Sequence, residues 1–240
     1  GEEQRTYPGN TMASHMLGFV GYTDSERTGR YGIEQYYNDV LSGTAGSYTG
    51  SQSAEGFLLS FGSALFAKKK DGADVVLTID PHIQSMAHAI VTELRDKWHA
   101  ASAGILVLQP KTGAILTMES APSFDPNAYG DTSDYDLFLN PFTQKVFEMG
   151  SILKPLTMAA GLDARAITEH TVYHDAGSVR IGDATIRNHD GKARGTQRMY
   201  DILDQSLNTG AVFIMRQLGE RAFYDYMDRF GLGTVTGVDL

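Results

Sequence analysis

Apolar residues fall into runs whose spacing predicts most elements of the 240-residue chain. Residues 75–79 (VVLTI) form a β-branched run that reads as a strand, and Asp80 followed by Pro81 supplies an N-cap and a proline at the first helical position. A helix is expected next. Its apolar positions Ile83, Met86, Ala87, Ile90, Val91, Leu94 and Trp98 recur every three or four residues, the spacing of one stripe laid against a core. Residues 103–108 and 114–118 are two further strand-like runs, and the Pro and Gly between them predict a hairpin. After a loop at 122–136 rich in Pro and Asp, a helical pattern resumes near Pro141, breaks at Gly150 and restarts at Ser151, running to about Ala164. Residues 172–188 read as a β-ribbon. Helices are expected at 199–205, 209–218 and 222–230, the last with a core-facing aromatic stripe from Phe223 to Phe230.

The first 72 residues differ, being rich in Gly, Ser, Thr and Tyr. They read as a small irregular module with one helix-like patch at 33–41, a loop-like run at 43–56 and a solvated boundary at Lys68, Lys69 and Lys70. The longest apolar run, residues 57–67, is interrupted by two Ser and a Gly and is far shorter than the roughly 18–20 residues of a spanning helix. No leader with a basic start and an apolar middle is visible, and Gly1 in place of Met points to a processed product or an expressed fragment.

Charge and composition remove whole classes of function. Twenty Lys and Arg against 29 Asp and Glu give a net charge of -9, the wrong sign for drawing a phosphate backbone out of its counterions, so nucleic acid is set aside. Zero Cys excludes disulfide scaffolds, thiolate nucleophiles and Cys-ligated zinc. His170 and His174 have the spacing of a zinc pair, but Thr171 stands where a metallopeptidase carries Glu. Gly231, Gly233 and Gly237 do not make a dinucleotide fingerprint and read as turns after a helix.

Two polar constellations carry the candidate chemistry. Ser151 is the Ser with a Lys three positions on, Lys154, at the start of an apolar helix, a spacing that puts both side chains on one face. A hydroxyl becomes a useful nucleophile when a neighbour accepts its proton. Lys can do so once its pKa falls from about 10.4 to roughly 7–8, through burial and the positive end of a helix dipole. The plain alternative is an N-capping Ser beside a snorkelling Lys. The second constellation is Ser206-Leu207-Asn208 in the break between two helices, where a hydroxyl and an amide can pass a proton and hold a carbonyl, or simply cap. S-x-x-K followed about 50 residues later by S-x-N is far more specific than either motif alone.

On those motifs the chain resembles the class B penicillin-binding proteins, the D,D-transpeptidases that cross-link bacterial cell wall. The likeness runs from about Arg5 to Leu240. RTYPGNTMASHMLGFVG (5–21) and GRYGIEQYYNDVLSGTAG (29–46) resemble the family's pedestal module, and VVLTIDPHIQ (75–84) the opening of its transpeptidase domain. ILVLQPKTGAILTMESAPSFDPNAY (105–129) resembles its first hairpin and the loop that follows, FEMGSILKPLTMAAGL (147–162) its nucleophile helix, and DQSLNTG (204–210) and FGLGTVTGVDL (230–240) its later landmarks.

The resemblance implies an α+β fold of the penicillin-binding protein and serine β-lactamase kind: a sheet flanked by helices, incomplete at the C-terminus, with residues 1–72 as part of the pedestal and 73–240 as the N-terminal portion of the transpeptidase domain. It implies Ser151 as the acylated nucleophile, Lys154 as its proton acceptor, Ser206 as proton relay, and Asn208 in contact with Lys154 and the substrate. The implied donor is a peptidoglycan stem peptide ending in D-Ala-D-Ala, with β-lactam antibiotics trapping Ser151, no metal or organic cofactor, and a membrane-embedded glycan polymerase as partner of the full-length protein. The parent would be anchored on the outer face of the cytoplasmic membrane. Two departures stand out. Met149 replaces the family's usual Pro, and the third motif, K-T-G downstream of S-x-N, is missing. Lys111-Thr112-Gly113 precedes the nucleophile and reads as a hairpin turn. The expectation is therefore a segment of a longer protein, lacking one oxyanion-hole N–H. The rival readings are a noncatalytic scaffold in a wall-synthesis complex, kept open by that missing motif, and a serine β-lactamase or carboxypeptidase, disfavoured by residues 5–46.

Overall fold

The computed structural model describes residues 5–23, 26–43 and 71–240, so the loop-like run beyond Gly43, the apolar run at 57–67 and the Lys boundary lie outside the described residues. The chain divides into two compact units, Gly1–Val146 with Val238–Leu240, and Phe147–Gly237.

In the first unit, α1 (Ser14–Leu17) precedes an antiparallel hairpin of β1 (Phe19–Thr23) and β2 (Glu26–Arg30), which the Gly-rich composition concealed. The helix-like patch at 33–41 is two short helices, α2 (Gly32–Tyr36) and α3 (Asn38–Ser42). Tyr37 separates them, and Asn38, first residue of α3, turns its side-chain oxygen to accept from the Gly29 amide at 2.8 Å. Gly29 is required here, since a Cβ would meet the Glu34 carbonyl oxygen at 1.8 Å.

Helix α4 (Pro81–Trp98) starts as its sequence predicts, with Asp80 accepting from the amides of His82 and Ile83 at 2.8 and 3.1 Å. Its buried face is rotated from the expected stripe. Gln84, Ala87 and Val91 face inward, while Met86 and Trp98 are 64% and 71% exposed. The reason is Gln84, a polar residue that hydropathy assigns to solvent. Its carboxamide is hydrogen-bonded to Thr117, Glu119 and the backbone of Met118 on β4.

Strands β3 (Ala103–Leu108) and β4 (Ile115–Ala121) pair antiparallel through the turn at 109–113, where Gly113 has φ +76°. Lys111-Thr112-Gly113 is thus part of a tight turn. Residues 75–79 do not join them as the expected strand. They alternate in burial, with Leu77 and Ile79 packed near Met118 and Val76 exposed. The hydroxyl of Thr78 takes the Ile115 carbonyl, and Asp80 N to Leu116 O is the backbone bond linking this stretch to β4.

The loop beyond β4 holds two 3-10 turns, Pro126–Asp131 and Tyr135–Phe138, capped by Asp125 and Asp134. They bring Phe124 and Phe138 against Tyr7 and Phe19 in an aromatic cluster. The helix expected from Pro141 is absent. A single turn closes on Asn140, whose side-chain oxygen accepts from Phe142 N at 2.9 Å and whose carbonyl accepts from Gln144 N at 2.8 Å; Val146 and Phe147 beyond it are exposed.

The second unit begins with a 3-10 turn, Gly150–Leu153, that runs into α5 (Lys154–Asp163). The expected single ribbon is two nested pairs. β6 (Ser178–Ile181) and β7 (Ala184–Arg187) form a hairpin, and β5 (Val172–Asp175) reaches past it to pair with β8 (Gly195–Arg198). Helices α6 (Met199–Asp204), α7 (Asn208–Leu218) and α8 (Glu220–Arg229) follow. Met158, Ile167, Tyr173, Met199, Ile202, Leu207 and Ile214 make the core. The aromatic stripe of α8 is only half-buried at Phe223, and Tyr224 is exposed. Antiparallel pairs with helices set beside them give the α+β class. Among the described residues no helix is long and apolar enough to cross a membrane.

Candidate active site

Ser151 sits in the 3-10 turn directly after Gly150, which has φ +62°. In 3-10 geometry side chains three apart eclipse each other, so Ser151 and Lys154 line up although Ser151 is not yet in the α-helix. Ser151 is exposed, whereas Lys154, first residue of α5, is buried. Its Nζ lies 3.1 Å from Ser151 Oγ, 2.9 Å from Ser206 Oγ and 2.6 Å from the Ser206 carbonyl oxygen. Ser206 Oγ is in turn 2.9 Å from Ser151 Oγ, so two hydroxyls and one amine close a triangle.

Burial pushes the Lys154 pKa below its ordinary value, because the ammonium has lost water. The hydrogen-bond count is compatible with the neutral amine. Its two N–H groups can donate to the Ser206 carbonyl and Oγ, leaving the lone pair for the hydroxyl proton of Ser151, while the Ser206 hydroxyl donates to Ser151 Oγ. Among the described residues no three His, Asp or Glu, His170 and His174 included, gather as a group that could hold a metal ion.

The S-x-N arm is held in an unusual conformation. Ser206 has φ +52°, a left-handed backbone that costs a non-Gly residue roughly 1–2 kcal/mol. That twist turns its carbonyl and its hydroxyl toward the same amine. Leu207 next to it is fully buried, and its amide donates to Ile202 O at 2.9 Å. Asn208 departs from expectation: the bonds of Lys154 go to Ser151 and Ser206, and Asn208 Nδ2 donates instead to the Arg187 carbonyl at 2.8 Å. At the first residue of α7 its side chain reaches back to β7, satisfying the carbonyl of that strand's last residue.

Sequence reasoning missed the support behind this arm. Thr209, Asn188 and Asp175 are all buried, with Thr209 Oγ1 donating to Asp175 at 2.7 Å and Asn188 Nδ2 donating to both Asp175 carboxylate oxygens at 2.9 Å. Their separations along the chain follow no periodicity. The one available hint was an Asp at the end of the short strand VYHD, in step with the buried Tyr173.

Comparison with known proteins follows the same landmarks. The family model described as the penicillin binding protein transpeptidase domain matches residues 103–240. The chain belongs to this family. A second model, the penicillin-binding protein dimerisation domain, matches residues 1–77. The transpeptidase-family chain is 31% identical over 239 residues to stage V sporulation protein D of Bacillus subtilis, covering 98% of itself and 36% of that protein. It is 30% identical over 242 residues to penicillin-binding protein PbpB of Mycobacterium tuberculosis, covering 100% of itself and 35% of that protein. The chain therefore spans about a third of the length of these relatives. Its fold matches the crystal structure of penicillin binding protein 2X from Streptococcus thermophilus with a TM-score of 0.79, at 22% identity, over 95% of this chain and 35% of the other.

Proposed function

We propose that Ser151, Lys154 and Ser206 form the acylation centre of a peptidoglycan D,D-transpeptidase. The observation that carries this reading is the contact of one buried, desolvated amine with two hydroxyls that also touch each other. Lys154 takes the proton of Ser151 as its Oγ attacks the carbonyl of a peptide ending in D-Ala-D-Ala. The C–N bond then breaks, and the departing D-Ala amine receives a proton from Lys154 through Ser206. An amine from a second stem peptide resolves the ester by the reverse sequence. Asn208, whose side chain donates to the Arg187 carbonyl, would contact the substrate's peptide. β-lactams, which mimic the donor terminus, would acylate the same Ser. Family membership supports a site facing the cell-wall side of the membrane.

The test is labelling with a fluorescent penicillin in the polypeptide as the cell produces it. A covalent signal that is lost in Ser151→Ala is expected. A protein that never labels would overturn the acyl-transfer reading in favour of a scaffold, and rapid turnover of the drug would make it a hydrolase.

A further inference from the structure

The acyl-transfer reading uses Ser151, Lys154 and Ser206 and leaves Asp175 unexplained. Asp175 ends β5 and has no exposure to solvent, a placement that strongly disfavours a carboxylate unless donors replace its water. Here they do. Thr209 Oγ1 donates at 2.7 Å, Gly177 N at 2.9 Å and Asn188 Nδ2 at 2.9 Å, with the Arg194 guanidinium 4.0 Å away. Burial pushes the Asp175 pKa up, but the hydrogen bonds from Thr209, Gly177 and Asn188 together with the Arg194 charge outweigh it, and the group stays ionised.

Nothing about β5 itself needs this arrangement, since a strand end can finish in solvent. The partners indicate what is being held. Thr209 is the second residue of α7, and its amide also points to Asn188 Oδ1 at 3.3 Å. Asn208 immediately before it is tied to Arg187, and Ser206 two residues earlier is tied to Lys154. The four residues 206–209 are thus pinned at both ends, to the amine on one side and to a buried carboxylate on the other. Ser206 takes its left-handed backbone as it closes the C-terminal end of α6, its amide donating to Leu203 O at 3.3 Å and that of Leu207 to Ile202 O at 2.9 Å, so the two anchors act on where its side chain and the start of α7 sit.

We infer that Asp175 is a positioning residue for the S-x-N arm, acting through the Thr209 hydroxyl to fix the start of α7 and so to hold Ser206 against Lys154 and Ser151. This rests on the acyl-transfer reading above. It predicts that loss of the anchor slows the covalent step while leaving the encounter with ligand intact, because Asp175 and Thr209 are themselves buried.

The decisive pair of variants is Thr209→Val, which removes the hydroxyl and nearly keeps the shape, and Thr209→Ser, which keeps the hydroxyl. Acylation by a fluorescent penicillin, followed over a concentration series, separates the maximal rate from the half-saturating concentration. Thr209→Val should lower the maximal rate about ten- to a hundredfold, the scale of a misplaced reacting group, with half-saturation within about twofold of wild type. Thr209→Ser should recover the rate to within about threefold. Wild-type kinetics in Thr209→Val, or an equal fall in both variants, would overturn the inference while leaving the acyl-transfer reading in place. Should wild type itself fail to label, that reading falls, and amide hydrogen exchange at residues 206–210 decides the anchor alone. Faster exchange in Thr209→Val than in Thr209→Ser supports it, and equal exchange overturns it.

Discussion

Replacing Lys154 by Arg separates the two things a cation at this position could do. The amine nitrogen faces three oxygens, two from Ser206 and one from Ser151. A guanidinium retains the positive charge and has donors to spare for the Ser206 carbonyl and hydroxyl, but its pKa above about 12 prevents it from accepting a proton. If Lys154 served as a fixed charge, Lys154→Arg would retain most of the acylation rate. As a general base its loss is worth about 10²- to 10⁴-fold, which at 1.36 kcal/mol per decade is about 2.7–5.4 kcal/mol on the barrier. The assay is single-turnover acylation by a fluorescent penicillin, with Lys154→Met as the uncharged control. Both variants should be slow to the same degree. Lys154→Met should melt no lower than wild type, because it removes a desolvated amine and leaves only oxygens of Ser206 and Ser151, both exposed residues, to be met by water. Acylation by Lys154→Arg within tenfold of wild type would refute the proton-acceptor role.

Four further outcomes follow from the structure. Acylation should rise with pH and level off below the ordinary lysine value of 10.5, since burial depresses the Lys154 pKa; Lys154→Arg should flatten the profile. The sign for stability is the same: the unfolded chain binds that proton more readily, so the penalty on the folded state is full below the folded pKa and disappears as pH rises to 10.5, which a pH series of melting curves on wild type and Lys154→Met would show. Ser206→Ala should reduce acylation about 10²- to 10⁴-fold while leaving Ser151 and Lys154 in contact, as a crystal structure of the variant can verify. Gly210→Ala should destabilise the protein by about 1–3 kcal/mol in denaturant titrations, because its Cβ would sit 2.4 Å from the buried Ile202 side chain.

What the sequence disclosed was local chemistry and regular spacing. Asp80 and Pro81 announced the start of α4, and Ser151 with Lys154 announced a shared face, because caps and three-residue separations act within a single turn. Expectations failed where a distant polar group decided the outcome. Gln84 rotated α4 by bonding to β4, and Thr78 bonded through its hydroxyl where a ladder was expected. Arg187, 21 residues away, drew the Asn208 side chain from Lys154. Asp175 was invisible for the same reason, its value residing in Asn188 and Thr209, which lie 13 and 34 residues along the chain. Periodicity describes which residues avoid water, and it is silent on which buried polar groups find one another.

The identity of the acylated atom tests the acyl-transfer chemistry most directly. Peptide mapping by mass spectrometry after a single exposure to penicillin should find one intact drug mass added, on the peptide bearing Ser151 and on that side chain. An adduct on any other residue, or none in protein shown to be folded, would contradict it.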